Sequence, residues 1–305
     1  MKNIFISGAS GLLGSNLKKN FSKKNYIFLG YNKKKKLLEN EVICNPKSVN
    51  NLYKFLKHNE IKFFIHCAGL TNVELCEKNK LKTLNVNVNF TKKIALFCKK
   101  NNIKIIFISS DHLYDGKKSY NKEFSKKKPL NEYAKSKIMA EDFIIRNMKN
   151  YLIIRSNFFG VTSLHNTKNF AQNIISSLQN SQKIYLFHDV YYTPISIKKL
   201  AIYIEKLILA KASGIYNIVT DKKITKYHFG IKLAKKFKLN NKLIIKSFIK
   251  SRFSKDLVTR PLDMSLSNYK LKKKLKINKI NINRCIDIFH KEFVLNNKTN
   301  KKMKF

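Results

Sequence analysis

Asn3-Ile-Phe-Ile-Ser-Gly8-Ala-Ser-Gly11-Leu-Leu-Gly14 decides the reading of this chain. The apolar run through Ser7 has the length and composition of a buried parallel strand. It passes directly into three glycines spaced three apart and then into an amphipathic helical pattern. Gly8 permits a sharp turn, Gly11 lets a pyrophosphate approach the backbone, and Gly14 lets the helix pack against the strand. A helix starting near Leu12 offers unpaired N–H groups and the positive end of its dipole to phosphates. A Gly-rich turn without a ligand is the competing reading; the flanking strand and helix favour a dinucleotide cradle.

Working outward, residues 26–29, 42–44, 63–67, 103–109 and 151–155 also read as strands, with helical patterns between most of them. Such alternation means a parallel sheet covered on both faces, with the almost wholly apolar runs 63–67 and 103–109 at its centre. After about residue 160 the pattern changes to helices at 169–178, 197–211 and 226–237 and short strands at 183–187, 214–219 and 243–247. The expected fold is α/β, a Rossmann-type doubly wound parallel sheet (1–160). A smaller C-terminal α/β substrate lobe (161–295), open to interleaving with the first, and a frayed tail (296–305) would follow.

At 305 residues the chain can bury a sizeable core. It has no long uncharged apolar run, so no membrane span is expected. A strand starting at residue 3 leaves no room for a signal peptide, which makes a cytoplasmic location the expectation. Five scattered cysteines without a C-x-x-C pair read as free thiols. The histidines show no metal-ligand spacing, so no metal site is read. The net charge of +45 invites a nucleic-acid partner, yet only Arg146, Arg155, Arg252, Arg260 and Arg284 are arginines among 63 basic residues. Arginine is the residue that forks onto phosphates and bases. Abundant Lys, Asn, Ile, Phe and Tyr with no Trp is the pattern of AT-rich codon usage. No specific nucleic-acid binding is therefore expected, although the charge would steer anionic ligands.

Tyr133-Ala-Lys-Ser-Lys137 places a phenol and an ammonium four residues apart, on one helix face. An adjacent ammonium would lower a tyrosine pKa from near 10 and fit it for proton exchange with a substrate oxygen. Spacing alone is weak: roughly two to three such pairs arise by chance in so lysine-rich a chain, and Tyr31/Lys35, Tyr53/Lys57, Tyr114/Lys118 and Tyr269/Lys273 match as well. Context selects Tyr133, which follows Pro129-Leu130-Asn131 and lies downstream of a strand ending in Ser109-Ser110-Asp111. Ligands bind at the carboxyl ends of such strands.

Gly8-x-x-Gly11-x-x-Gly14, Cys67-Ala68-Gly69, Ser109-Ser110-Asp111, Tyr133-x-x-x-Lys137 and Arg155-x-x-x-x-Gly160, in this order, resemble an extended short-chain dehydrogenase/reductase. The likeness is to its dTDP-4-dehydrorhamnose reductase-like, nucleotide-sugar-binding branch. That branch carries Ser-Thr-Asp-Tyr-Val-Phe-Asp-Gly where this chain has Ser109-Ser-Asp-His-Leu-Tyr-Asp-Gly116. Pro129–Lys137 and Arg260–Leu266 match two further motifs, and the resemblance spans residues 1 to about 290. It implies a fold that binds NADP or NAD, with Gly8, Ser10, Gly11, Leu12, Leu13, Gly14, Cys67, Ala68 and Gly69 at the cofactor. It implies Ser110 as the carbonyl-polarising hydroxyl, Tyr133 as general acid, and Lys137 as holder of the nicotinamide ribose and tuner of Tyr133. Asp111, Asn157 and Arg260 would meet a nucleotide-sugar, and Arg155–Gly160 would line the nicotinamide pocket. Ser110 replaces threonine, His112 replaces tyrosine and reads as a neutral packing residue, and Asn45 stands where relatives often carry Asp. No acid occurs between Leu29 and Glu39, so Asn32 and Lys33 or Lys34 favour NADPH over NADH. The implied reaction is reduction of the C4 keto group of a nucleotide-activated deoxy-sugar. The alternatives are a non-catalytic NADP-binding subunit resembling that of methionine adenosyltransferase, or an epimerase or dehydratase. A homodimer is left open.

Overall fold

The structure is a computed structural model that describes residues 3–21, 26–161, 169–249 and 258–302, with side chains to residue 296. His165, one of the histidines read for metal ligation, lies outside the described residues. The elements in chain order are β1 (Asn3–Ser7), α1 (Leu12–Phe21), β2 (Tyr26–Tyr31), β3 (Glu41–Ile43), α2 (Val49–His58), β4 (Phe63–His66), α3 (Val73–Lys78) and α4 (Lys80–Thr83). A π-helical turn, Leu84–Asn89, runs into α5 (Phe90–Lys100). Then come β5 (Lys104–Ile108), α6 (Glu132–Asn147), β6 (Tyr151–Arg155), β7 (Phe158–Phe159), α7 (Phe170–Gln179), β8 (Ile184–Phe187), β9 (Tyr191–Tyr192) and β10 (Ile195–Ser196). The chain continues with α8 (Ile197–Leu209), β11 (Gly214–Asn217), β12 (Ile224–Thr225), α9 (Lys226–Phe237), β13 (Ile244–Ser247), α10 (Tyr269–Leu275) and α11 (Ile282–Lys302).

A seven-stranded parallel sheet in the order β11-β6-β5-β4-β1-β2-β3 forms the centre. Its period-two burial explains the apolar runs. Ile4, Ile6, Ile65, Ile106, Ile108, Leu152 and Ile154 enter one core with α1, α7, α8 and α9. Phe5, Phe64, Ile105, Phe107 and Ile153 enter the other with α2, α5 and α6. A strand buried on both faces lacks the alternating polar positions of a half-exposed one: all five residues of β5 are buried, and its one polar residue, Lys104 at the start, donates to the Ala212 carbonyl. The strand order reverses between β1 and β4, so the crevice at their carboxyl ends is the topological switch point where such sheets hold ligands.

Strand β11, grouped with the smaller lobe when read from sequence, is instead the seventh strand of the main sheet. It pairs in parallel with β6 from Gly214↔Leu152 to Asn217↔Arg155. The cause is two-sided burial at an edge that would otherwise be open: Ile215 packs on one core and Tyr216 joins the other. Helix α8 likewise packs on α1. The remaining short strands pair as β10 with β7, β12 with β9 and β13 with β8. Helix α11 runs without Gly or Pro, so the stretch expected to fray from 296 is helical backbone as far as Lys302; residues 303–305 lie outside the described ones.

Candidate active site

The glycine loop is built as its residue types require. Gly8 has φ +65°, and Gly11 N–H donates to the Gly8 carbonyl at 2.9 Å, closing the turn. A Cβ at Gly14 would sit 2.3 Å from the Gly8 carbonyl oxygen, so α1 reaches β1 only because that atom is missing. The first-turn N–H groups of Leu12, Leu13 and Gly14 have no intrahelical acceptor and face a phosphate's chemistry. Side-chain-free backbone and free donors at one helix N-terminus fit a dinucleotide pyrophosphate.

Opposite the loop, Ser7 Oγ accepts from the N–H groups of Cys67 and Ala68 at 3.1 and 3.2 Å. Its own proton therefore goes to His66 Nδ1, 2.8 Å away. His66 Nε2–H then donates to Thr91 Oγ1 at 3.0 Å, and Thr91 donates to the Asn87 carbonyl at 2.8 Å. Burial, helped by the Lys137 charge, pushes the His66 pKa down to about 3, so the ring is neutral. Asn87, on the π-helical turn, receives the Leu70 N–H at 2.8 Å, donates to the Leu70 carbonyl at 3.0 Å and donates to Ser136 Oγ at 3.0 Å. A Cβ on Gly69 would lie 3.1 Å from Asn87 Oδ1. These contacts hold the 67–70 loop against the helix that carries Tyr133. Sequence reading missed this set; a histidine inside the apolar run Phe63-Phe-Ile-His-Cys67 was its only local signal.

Two adjoining clefts share Gly8, Gly11, Cys67 and Gly69. The larger, about 1240 Å³, is also lined by Ser10, Asn32, Lys33, Asn45 and Ala68. Lys33, Lys47, Lys82, Lys92 and Lys93 line it, and no Asp or Glu does among the described residues. Lys34 does not: it is ion-paired with buried Glu41, which leaves Lys33 as the cleft-lining member of that run. Asn45 donates to the Asn32 carbonyl at 2.9 Å and fixes the turn after β2.

The smaller cleft, about 390 Å³, is lined by Leu12, Leu13, Gly14, Ser110, Asp111, Tyr133, Lys137 and Asn157. Asn131 caps α6 by accepting from Ala134 N–H at 2.9 Å, which sets Tyr133 and Lys137 on the face toward β5. The expected ammonium–phenol coupling is not what the structure shows. Lys137 Nζ donates to the Ile108 carbonyl at 2.7 Å and lies 4.6 Å from the Phe107 ring centroid. Burial lowers the Lys137 pKa to about 8 and raises that of Tyr133 to about 12; the Ser110 hydroxyl is the group that lowers the phenol. Desolvation outweighs the neighbouring charge because both groups sit at the sheet's buried edge. Asp111 accepts from Asn157 Nδ2 at 2.8 Å, and His112 packs edge-on against Tyr133 with burial holding it below the usual histidine range.

Two further expectations change. Ser156, Asn157 and Phe158 line the cleft, but Arg155 does not. Its guanidinium is buried against Glu141 at 2.9 and 2.6 Å and Tyr114 at 2.8 Å, because an arginine at the end of an interior strand needs a full set of acceptors. Arg260 is exposed, lines neither cleft and is ion-paired with Glu74, so that loop is tied to α3 rather than turned into the cleft. Among the described residues no group of three His, Cys, Asp or Glu could hold a metal, and no helix is long and apolar enough to cross a membrane.

A family model described as the RmlD substrate binding domain matches residues 1–293. The probable low-salt glycan biosynthesis reductase Agl14 of Haloferax volcanii is 26% identical over 240 residues, 75% of this chain and 78% of that protein. Methionine adenosyltransferase 2 subunit beta of Bos taurus is 26% identical over 157 residues, 50% of this chain and 46% of that one, so the match spans about half of the subunit. The structure of a dTDP-4-dehydrorhamnose reductase from Bacillus anthracis in complex with NADP superposes with a TM-score of 0.84 at 21% identity, covering 96% of this chain and 100% of that one. A hypothetical dTDP-4-dehydrorhamnose reductase from Sulfolobus tokodaii gives 0.77 at 26% identity, covering 90% and 94%.

Proposed function

This chain belongs to the RmlD substrate binding domain family, and on that premise we propose that it reduces the C4 keto group of a nucleotide-activated deoxy-sugar with NADPH. The observation that carries the reading is the convergence of Ser110, Tyr133 and Lys137 in one cleft beside the glycine loop. When bound, the nicotinamide supplies the hydride that reaches the carbonyl carbon. Ser110 Oγ donates a hydrogen bond to the carbonyl oxygen and polarises it. Tyr133, kept protonated by its raised pKa, gives its proton to that oxygen as charge develops, and water reprotonates the phenolate. A phenol that holds its proton suits reduction better than oxidation. Lys137, anchored on the Ile108 carbonyl, would present its remaining protons to the ribose hydroxyls.

Lysines without a carboxylate in the large cleft support NADPH, since an acid near Asn32 would repel a 2′-phosphate; NADH remains the second cofactor to compare. Asp111 and Asn157 would meet the sugar. Arg260 would reach the nucleotide only by giving up Glu74. Five free cysteines suit a cytoplasmic setting. The likeness to methionine adenosyltransferase 2 subunit beta supports a second reading, a dinucleotide-binding subunit without turnover.

NADPH oxidation in the presence of dTDP-4-dehydrorhamnose separates these readings. Tyr133→Phe is expected to keep the fold and NADPH affinity while losing about a hundredfold or more in kcat. Unchanged turnover in that variant overturns the catalytic assignment. NADPH binding without oxidation by any nucleotide keto-sugar supports the subunit.

A further inference from the structure

A third hollow, about 480 Å³, shares no lining residue with the two clefts. It lies among the loop 221–225, the first turns of α9 and the residues that lead into α11. Buried Ile224 and Ile280, with the partly exposed Tyr191 and Ile282, give it a largely apolar wall. Asp221 is the one carboxylate that lines it among the described residues, and both of its oxygens are engaged. One accepts from Asn268 Nδ2 at 2.9 Å and Lys272 Nζ at 3.2 Å, the other from the Ile280 N–H at 2.8 Å. The Asp221 N–H donates to the Ile280 carbonyl at 3.0 Å, so the two segments that wall the hollow are locked together.

Lys222, Lys223, Lys232 and Lys279 line the same hollow. Lys223 is ion-paired with Asp263 at 2.5 Å, whereas Lys232 donates to a neutral acceptor, Asn283 Oδ1, at 3.0 Å. Lys222, Lys232 and Lys279 have no carboxylate partner among the described residues. Codon usage accounts for many lysines in this chain; these differ in rimming a concave, apolar-walled space whose acid is already engaged. The helix starts are capped, Thr225 accepting from the His228 N–H at 3.1 Å and Asn281 from the Asn283 N–H at 2.7 Å. The ammonium groups, rather than a helix end, would therefore meet an anion.

We propose that this hollow is a second ligand site, separate from the catalytic clefts, that takes a nucleoside monophosphate. Several ammonium groups suit the double charge of a phosphate monoester. A wall of Tyr191 and three isoleucines suits a flat base, where a bare sugar would leave its hydroxyls unpaired. The site does not depend on the reaction assigned to the clefts.

The test is isothermal titration of the NADPH-saturated protein, which keeps the probe out of the dinucleotide cleft, in about 0.15 M salt to screen diffuse charge. The probes are AMP, adenosine, glucose 1-phosphate and inorganic phosphate. AMP is expected to bind once per chain, and adenosine at least about tenfold more weakly. The double variant Lys232→Met/Lys279→Met should weaken AMP about tenfold or more, as loss of charge-assisted contacts does. Lys273→Met, an exposed lysine of α10 outside the hollow, should change nothing. Ile282→Ser should weaken AMP and leave inorganic phosphate unchanged. Unchanged NADPH affinity and melting temperature are the controls for folding. Absence of AMP binding, a wild-type isotherm in the double variant, or an equal loss in Lys273→Met overturns the site. Adenosine binding as tightly as AMP overturns the role of the lysines, and glucose 1-phosphate doing so overturns the nucleotide assignment.

Discussion

His66 carries no charge at neutral pH in the folded protein, and that neutrality has a consequence for stability. Its ring accepts from Ser7 and donates to Thr91, a chain that needs one nitrogen bare. The folded pKa is about 3, whereas an unfolded histidine titrates near its ordinary value of 6.5. Between those values the unfolded chain binds a proton that the folded one refuses, so stability rises with pH across the window and is lost on acidification. The loss from this site is up to about 1.4 kcal/mol per pH unit. The melting temperature is expected to fall more steeply below pH 6.5 in wild type than in His66→Asn, and equal slopes would show that the ring does not govern acid sensitivity. At this scale the sequence disclosed roles better than partners. The four-residue spacing of Tyr133 and Lys137 told which face they share, but the acceptor that Lys137 chose is the Ile108 carbonyl, 29 residues away in the chain.

The strand–loop–helix unit at the N-terminus shows how much an element can depend on an absent atom. With the Gly8 carbonyl 2.3 Å from where a Cβ on Gly14 would lie, Gly14→Ala must push α1 off β1 or open the turn. Urea denaturation is expected to show a loss of about 1–3 kcal/mol, the usual cost of overpacking, together with at least a tenfold rise in the NADPH Kd. A variant with wild-type stability and affinity would mean that the helix can slide at no cost. This unit was fully legible, because strand, glycines and helix are contiguous and each glycine has its own steric reason. The π-helical turn at Leu84–Asn89 was not. Its extra residue per turn leaves no mark in composition, and its use, bringing Asn87 to both backbone groups of Leu70, appears only when the 67–70 loop is in place.

Across the whole molecule, the sheet draws its strands from both halves of the chain. The central strands were legible as apolar runs, since burial on both faces leaves Lys104 as the one polar residue of β5. The pairing of β11 with β6 was not, because a four-residue strand says nothing about which edge it will close. A fragment ending at residue 160 would lack that strand and α8, exposing the β6 edge and the α1 face. It is expected to bind a hydrophobic dye and lose near-ultraviolet circular dichroism, as compact states without fixed packing do; a cooperative thermal transition in the isolated fragment would show that the edge strand is dispensable. The same topology bears on how the protein is made. Synthesis proceeds from the N-terminus, and about 60 residues separate β6 from the strand that covers it, so at about 5–20 residues per second the nascent sheet waits roughly 3–12 seconds with an open, apolar edge. The ribosome-bound chain is therefore most in need of a chaperone after the dinucleotide cradle has emerged and before Asn217 has.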